Sequence, residues 1–332
     1  MHTSPELVVQ SLERLGVDAV FGLPGTQNVE LFDALRRSRI RTVVATHELA
    51  AGFMANGYAR ASGRVGVVVA IQGPGFTWAL TALAEARHDS APLLLLTGVP
   101  EEGRWFALQA LDQEMMAGPV AKAVVRPRSV ESVAESLARA YALALSGEPG
   151  PVVFELPEFR GARSSAPDHL PPPPEPPLPD LAELTGLIHQ ARRPVVYAGQ
   201  GCAGGAADLR RLVEALNAPV ATTLSGRGVV PEDHPLALGI DLGPSGVEAL
   251  NRLFAGADLI LALGCKLSHN GSAGFRLALP ADRLVHIDAS AEVLGANYPA
   301  RLTIEADLPA LLRRLAPSVR GSGQWTSEEI DA

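Results

Sequence analysis

Residues 46–75, THELAAGFMANGYARASGRVGVVVAIQGPG, decide the fold of this chain. The β-branched run RTVVA at residues 41–45 precedes them, and a second apolar run, VGVVVAI at residues 65–71, lies within them. Short apolar runs of this kind predict buried strands, and the small and apolar residues at 50–61 predict a helix between the two. Glu48 therefore falls where a strand ends and a helix begins. This is the carboxyl edge of a parallel sheet, where open α/β sheets bind their ligands.

The predicted helix is rich in small residues and contains Gly52 and Gly57. A glycine inside a helix costs about 1 kcal/mol relative to alanine, so something must approach this backbone closely. Two interpretations follow: tight packing inside one domain, or a contact with a cofactor or another subunit. The rigid turn Gly73-Pro74-Gly75 ends the second strand and brings bare backbone to the same edge. Because the helix and the turn both bring small residues to this edge, we favour the contact with a cofactor or another subunit.

Outside this stretch, predicted strands and helices alternate along almost the whole chain. Apolar strands that hardly alternate in polarity, separated by helices, indicate a parallel sheet covered on both faces. The expected fold is α/β, with two open parallel-sheet domains and helices on both faces of each sheet. Eight of the thirteen residues at 167–179 are proline, which predicts an extended, semi-rigid linker between the domains.

The expected boundaries are a first domain at 1–163, a linker at 164–180, a second domain at 181–318 and a tail at 319–332. The tail is polar apart from Trp325, so we expect it to be loose.

Composition limits the possible partners and locations. A chain of 332 residues with 47% hydrophobic content can bury two cores. The net charge of −8 and the absence of a basic run argue against nucleic acid and anionic membranes as partners. No apolar run approaches the length of a membrane span, and the first residues lack the layout of a signal peptide. Because two cysteines, Cys202 and Cys265, cannot form a disulfide framework, we expect a cytoplasmic protein.

The second predicted domain contains the GxGxxG motif, GQGCAG at residues 199–204, after a predicted strand and before a helix. Such a loop can place a dinucleotide on a helix N-terminus. An acidic residue should then end the next strand, but that strand ends Thr222-Thr223-Leu224-Ser225. An NAD(P)-binding Rossmann enzyme is therefore kept as an alternative.

Other catalytic and metal-binding patterns are missing from the sequence. The eight histidines are scattered, with neither HExxH nor paired CxxC motifs, so no residue is predicted to bind a metal. The sequence also has no GxSxG elbow and no GxxxxGK[ST] phosphate loop. His47 is either a functional imidazole or a hydrogen-bonded strand-end residue. Cys265 and His269 are more consistent with a core residue and a surface residue than with a site.

Two sets of motifs point to one family. In the first domain these are FGLPG (21–25), HE (47–48), GYAR (57–60), GPG (73–75) and DSAP (89–92). In the second they are RPV (193–195) with AG (198–199), GRG (226–228), PEDHP (231–235), ALG (262–264) and HID (286–288). In order and spacing the chain resembles the pyrimidine-binding and central, Rossmann-like domains of thiamin-diphosphate enzymes. The closest likeness is to the large subunit of acetolactate (acetohydroxyacid) synthase.

The resemblance implies a role for each matching residue. A buried Glu48 would hydrogen-bond N1′ of the cofactor's aminopyrimidine and so promote proton removal from the thiazolium C2. The cofactor would then decarboxylate a 2-oxo acid such as pyruvate and transfer the acyl group to an acceptor, as a carboligase or decarboxylase. Gln109 would lie beside the substrate, although the family's Phe-Gln-Glu is Leu108-Gln109-Ala110 here. The residues expected to approach the cofactor are Pro24, Gly25, Thr26, Glu48, Gly73, Pro74 and Gly75.

The resemblance also implies a partner. Full-length relatives have a third domain whose Gly-Asp-Gly motif and downstream Asn hold Mg²⁺ and the diphosphate, and no such motif occurs in this sequence. We therefore expect one subunit of a split enzyme, inactive alone, with the diphosphate-binding domain on a separate subunit and α2β2 as the smallest complete assembly. FAD in the central domain, at residues 199–204, is left open. A non-catalytic regulatory or scaffold relative is the other alternative.

Overall fold

The computed structural model describes residues 1–99, 107–166, 170, 177–239, 243–320 and 323–331. The chain divides into two compact units, Met1–Pro174 and Glu175–Ala332. Most of the proline-rich stretch predicted to be the linker lies outside the described residues. The linker bounds of 164–180 therefore stay a prediction.

The first unit is built on a six-stranded sheet with the strand order β2-β1-β3-β4-β6-β5, and all of its pairings are parallel. Its strands are β1 (Ala19–Gly22), β2 (Arg41–Val44), β3 (Gly66–Val69), β4 (Leu93–Gly98), β5 (Ala123–Val125) and β6 (Pro151–Leu156). Its helices are α1 (Ser4–Arg14), α2 (Val29–Arg36), α3 (Glu48–Ser62), α4 (Pro74–His88), α5 (Gln113–Ala117) and α6 (Val133–Leu145).

Both faces of this sheet are buried, as the near-continuous apolar strands predict. Successive residues of β3 point to opposite faces, so Val67 belongs to the core beneath α1 and α6 with Leu12, whereas Val68 belongs to the core beneath α3 and α4 with Ala55 and Leu83. The expectation of a parallel sheet with helices on both faces is confirmed.

The sequence predicts that strand β2 is buried, but the structure shows that it is not. It lies at the edge of the sheet and pairs with β1. Arg41 is exposed and the side chain of Val44 is 61% exposed. A β-branched run cannot by itself distinguish a central strand from an edge strand, because both favour the same residue types.

The second unit repeats the architecture, with the strand order β12-β11-β10-β7-β8-β9 and parallel pairings throughout. Its strands are β7 (Pro194–Ala198), β8 (Val220–Thr222), β9 (Ala237–Gly239), β10 (Leu259–Leu263), β11 (Leu284–Asp288) and β12 (Leu302–Glu305). Its helices are α7 (Ala182–Gln190), α8 (Ala206–Leu216), α9 (Pro244–Gly256), α10 (Leu308–Leu315) and α11 (Ser327–Asp331). Every residue of β7, β10 and β11 is buried.

The end of the second unit corrects the expectation of a loose polar tail. Trp325 is 7% exposed, and its Nε1 donates a hydrogen bond to Pro194 O at 2.9 Å. The Arg193 guanidinium lies 3.8 Å from the centre of the indole ring and also donates to Glu329 Oε1 at 2.9 Å. One large aromatic side chain, with a hydrogen bond and a cation above its ring, is enough to dock a polar segment.

Across the described ranges, none of the helices has the length and apolar character needed to cross a membrane.

Candidate active site

The N-terminus of α3 places Glu48 at the carboxyl edge of the first sheet. Strand β2 ends at Val44 and α3 begins at Glu48, with His47 as the N-cap residue. The His47 Nδ1 accepts a hydrogen bond from Leu49 N at 3.1 Å, and its ring meets Trp78 edge-on at 4.7 Å between centroids. Of the two interpretations of His47, the geometry therefore favours the hydrogen-bonded, capping role.

The Glu48 carboxyl group lies over Gly75, in the first turn of α4. A Cβ atom at Gly75 would come within 3.1 Å of Glu48 Oε1 and within 2.8 Å of Ile71 Cγ1. The resemblance had led us to expect a buried Glu48. The side chain is only half-buried, because α3 begins at the open edge of the sheet. The carboxyl group is thus held against bare backbone and remains accessible from one side.

The loop after β1 reaches the same place through Gly25. A Cβ atom there would lie 2.6 Å from Ile71 Cγ2, so the Ile71 side chain fills the space between Gly25 and Gly75. Asn28 fixes the loop: its Oδ1 accepts from Gly25 N at 2.7 Å and its Nδ2 donates to Leu23 O at 3.0 Å.

Of the other two residues predicted in this loop, Pro24 and Thr26 are both exposed.

The sequence had led us to expect bare backbone at the Gly73 turn, but the structure shows this turn covered by Gln109. Gly73 has φ +67°, and a Cβ atom on it would lie 2.6 Å from Gln109 O and 2.8 Å from Gln109 Cβ. Pro74, the next residue, is exposed at the start of α4. The Gln27 Nε2 donates a hydrogen bond to Gln109 Oε1. The structure therefore brings Gln109 to the Gly73 turn and the β1 loop.

A buried polar chain supports the turn from below. Gly73 N donates to Gln113 Oε1 at 2.9 Å, and Gln113 Nε2 donates to Gly98 O at 3.0 Å and to Glu155 Oε1 at 2.7 Å. The Glu155 side chain is fully buried, and its Oε2 accepts from Arg126 Nη2 at 2.6 Å. A buried carboxylate needs this pairing, since an uncompensated charge in the interior is very costly.

Sequence reasoning missed four of the polar residues that shape this edge: Gln27, Asn28, Gln113 and Glu155. Asn28 lies directly before a helical pattern, where asparagine indicates an N-cap, but its side chain makes no cap hydrogen bond and contacts the β1 loop instead. The glutamines carried no signal, since their partners lie 15 to 82 residues away in the chain.

The carboxyl edge of the second sheet is organised differently. A Cβ atom at Gly199 would lie 2.1 Å from Gly264 O, and one at Gly201 would lie 2.7 Å from Gly264 Cα. Gly204 meets Pro309 of α10 in the same way, at 3.0 Å from its Cγ. The glycines of the GxGxxG motif are therefore required by contacts inside the unit. This favours packing over the dinucleotide site considered from the sequence.

The cysteines of this unit are core residues. Cys202 and Cys265 are free and buried, and burial raises the pKa of the Cys202 thiol to about 12. Burial also raises the pKa of the Cys265 thiol well above its usual value. His269 is exposed and contacts Phe275 edge-on. Neither thiol has the accessible thiolate that reactive cysteines need.

Within the described part of the chain, no group of three or more histidine, cysteine, aspartate or glutamate side chains could hold a metal ion.

The first edge combines an apolar surface with a hydrogen-bond acceptor. Gly25, Gly75 and the Ile71 side chain form a surface without bulky polar groups, and the half-exposed Glu48 carboxylate stands beside it as a hydrogen-bond acceptor. A heteroaromatic ring with a protonated nitrogen at its edge matches this combination.

Two family models match the chain. Residues 2–116 match the model of the thiamine pyrophosphate enzyme N-terminal TPP binding domain, and residues 181–315 match that of the thiamine pyrophosphate enzyme central domain.

Among curated relatives, the probable acetolactate synthase large subunit of Methanocaldococcus jannaschii is 35% identical over 327 residues, which cover 93% of this chain and 55% of the relative. Acetolactate synthase 1, chloroplastic, of Zea mays is 35% identical over 347 residues, covering 97% and 54%. The acetolactate synthase isozyme 1 large subunit of Escherichia coli K12 is 33% identical over 334 residues, covering 97% and 59%. The chain thus spans about half the length of the curated relatives it matches.

Proposed function

Because this chain belongs to the thiamine pyrophosphate enzyme family, we propose that its first domain binds the aminopyrimidine of thiamin diphosphate and that Glu48 activates it. The reaction would be that of an acetolactate-synthase-like enzyme: decarboxylation of a 2-oxo acid such as pyruvate, followed by transfer of the acyl group to an acceptor.

One observation carries the proposal: a half-exposed Glu48 carboxylate lies against the bare backbone of Gly75, at the edge where α/β sheets bind ligands. A scaffold protein has no need of a carboxylate at that position. The two glycines, Gly25 and Gly75, let the Ile71 side chain pack between them, so an apolar surface lies beside the carboxylate.

The residues of this chain would act on the cofactor in defined ways. Bound thiamin diphosphate supplies a nucleophilic carbon that adds to the 2-oxo acid and then stabilises the negative charge left by loss of CO₂. Glu48 would hold a proton at N1′ of the aminopyrimidine through a charge-assisted hydrogen bond. Ile71 would support the ring between Gly25 and Gly75. Gln109 would contact the substrate.

We further propose that a domain outside residues 1–332 holds the diphosphate and Mg²⁺, and that it is carried by a separate subunit in an α2β2 assembly. One feature supports a covering partner: Phe53, Met54 and Trp78 are large apolar side chains exposed on α3 and α4, the two helices that carry Glu48 and Gly75.

The proposal is tested by reconstitution. The purified chain would be mixed with a candidate diphosphate-domain subunit, thiamin diphosphate, Mg²⁺ and pyruvate, and CO₂ release and acyloin formation would be followed. We expect turnover with both polypeptides present and none with either alone. Turnover by residues 1–332 alone would show that the split site is wrong.

The same reconstitution separates an enzyme subunit from a regulatory or scaffold relative. A scaffold would bind the partner, but the activity of the complex would not change when Glu48 is replaced. FAD is not part of the proposal, because the glycines at 199–204 that were considered for it are engaged by Gly264 and Pro309. A flavin absorbance band in the purified complex would contradict this exclusion.

A further inference from the structure

The side chain of Gln27 connects two loops that meet over the Gly73 turn. Gln27 lies in the loop after β1, and Gln109 lies 82 residues later, in the segment between β4 and α5. The Gln27 Nε2 donates a hydrogen bond to Gln109 Oε1. This bond is the direct side-chain link between the loop that carries Gly25 and the segment that carries the proposed substrate residue.

The backbone of Gln109 is held in an unusual conformation. Its φ is +60°, in the left-handed region that residues with a Cβ atom rarely adopt. Its carbonyl oxygen and Cβ lie directly over Gly73, where a Cβ atom on that glycine would come within 2.6 Å and 2.8 Å of them. Four residues later, Gln113 Oε1 accepts from Gly73 N at 2.9 Å. Strained residues held in place by several contacts are frequent at functional sites.

Two anchors thus act on the same residue in different ways. The contact with Gly73 and the Gln113 hydrogen bond fix where the Gln109 backbone runs. They leave its side chain free to rotate about its own bonds. The Gln27 hydrogen bond removes that freedom, and Gln27 itself is exposed at the mouth of the site.

The direction of the hydrogen bond determines what Gln109 can offer. Since Gln27 donates and Gln109 Oε1 accepts, the Nε2 group of Gln109 keeps both of its N–H donors for another partner. Amide donors suit the carboxylate and the carbonyl oxygen of a 2-oxo acid.

Resting on the proposed function, we propose that Gln27 is a positioning residue for the substrate. It holds the Gln109 amide so that the Nε2 donors face the 2-oxo acid, and it thereby favours acids with a carboxylate next to the reacting carbonyl. Gln27 acts through Gln109 and contributes nothing to activation of the aminopyrimidine, which belongs to Glu48.

The first experiment measures the connection without any activity. The NMR signals of the Gln109 side-chain amide would be compared in the wild-type chain, in Gln27→Ala and in Glu30→Ala, a matched control at an exposed position of α2. We expect the Gln109 side chain to become more mobile and its amide signals to shift in Gln27→Ala only, with the backbone signals of α3 unchanged. Unchanged Gln109 amide signals would overturn the connection between the two side chains.

The second experiment uses the complete enzyme, with the diphosphate-domain subunit, thiamin diphosphate and Mg²⁺. In Gln27→Ala we expect KM for pyruvate to rise roughly tenfold while kcat stays within about threefold, because uniform substrate binding is weakened and chemistry is not. The affinity for thiamin diphosphate should not change. Gln27→Glu should raise KM further, since a carboxylate cannot donate to Gln109 Oε1 and repels the substrate's negative charge.

The outcomes distinguish this inference from the function on which it rests. A fall in kcat with unchanged KM, or a weaker affinity for the cofactor, would overturn the positioning role of Gln27. The proposed function of the chain as an enzyme subunit would still stand. Absence of turnover in the wild-type complex would overturn the proposed function and with it any role of Gln27 toward a substrate. Glu30→Ala should behave as the wild type in both experiments.

Discussion

The carboxyl edges of the two sheets use glycine for opposite purposes. At the first edge, Gly25 and Gly75 face a movable side chain, Ile71, and a carboxyl oxygen of Glu48. At the second edge, Gly199 and Gly201 face the backbone of Gly264, which cannot move without disturbing β10. The two edges follow similar strand, glycine turn and helix patterns in sequence.

The difference teaches that a glycine-rich turn is not a ligand site by itself. What differs is the nature of the atoms nearest to these four glycines: the Ile71 side chain and a half-exposed carboxylate at the first edge, and the main chain of Gly264 at the second. Substitutions at the first edge should therefore affect chemistry and leave the fold intact, whereas substitutions at the second should affect the fold.

The largest expected effect is at Glu48. In the complete enzyme, Glu48→Gln or Glu48→Ala should lower turnover by roughly 10²–10⁴-fold, the usual range for loss of a positioned acid-base group. Thermal unfolding of the chain should be almost unchanged, since the carboxyl group is half-exposed. Steady-state kinetics and circular dichroism measure the two quantities. Full activity in either variant would remove the functional distinction between the edges.

Gly199→Ala should produce the largest loss of stability. The new Cβ atom would stand 2.1 Å from Gly264 O, so the backbone must shift, and we expect the free energy of unfolding to fall by about 3 kcal/mol or more. Gly186→Ala is the matched control, because nothing lies within 4 Å of its Cβ position and it occupies a helix, α7. It should stabilise the chain slightly. Denaturant unfolding that shows equal effects would contradict the packing role of Gly199.

Gly75→Ala should show the converse behaviour at the first edge. Its Cβ atom would come within 2.8 Å of Ile71 Cγ1, a side-chain atom that a change of rotamer can displace, so the loss of stability should be about 1 kcal/mol. Displacing Ile71 and Glu48 should nevertheless weaken binding of thiamin diphosphate roughly 10- to 100-fold, as measured by titration of the apo complex. If Gly75→Ala lost as much stability as Gly199→Ala, the two sheet edges would not differ in their response to an added Cβ atom.

The smallest expected effect is a pH dependence confined to the second unit. Burial lowers the pKa of His286, whose Nε2 donates to Cys265 O at 2.8 Å while Nδ1 accepts from Gly295 N at 3.3 Å. The bond that Nδ1 accepts requires the neutral imidazole, whereas Nε2 can donate in either protonation state. Since the unfolded chain binds the proton more readily, this contribution to stability is present above about pH 6.5 and is lost as the pH falls through the folded pKa.

Unfolding curves measured between pH 7 and 5 would test this. His286→Gln, which keeps an amide donor and acceptor but does not titrate, should have a shallower slope with pH. An identical slope would mean that other groups determine the acid response. Replacement of His189, exposed on α7, by Gln is the control.

The extent to which the sequence predicts this structure depends on how local each feature is. The sequence predicts a strand at residues 194–198 and a helix at residues 206–216, and β7 and α8 have these bounds. Apolar periodicity and flanking glycine, proline or asparagine are local signals, which is why these elements can be predicted. Short elements such as α5 and β9 escaped prediction, since a few residues carry too little periodicity.

The same limit applies to the site. Glu48 and Gly75 can be predicted to share an edge because consecutive parallel strands end together. Gln27 and Gln113 could not be, because their roles arise from hydrogen bonds between segments far apart in the chain. The docking of Trp325 on β7 is a further case. Composition alone suggests a free tail, but the indole of Trp325 attaches the tail to β7 through its hydrogen bond to Pro194 O.

The strand order of the first sheet has a consequence for biosynthesis. Strand β6 lies between β4 and β5, so the last strand of that sheet to leave the ribosome inserts between two that emerged earlier. Until then, the apolar residues of β4 lack one neighbour, and the nascent chain exposes them for the time needed to translate the intervening residues. During that interval the native contacts of β4 do not yet protect this half of the molecule from aggregation.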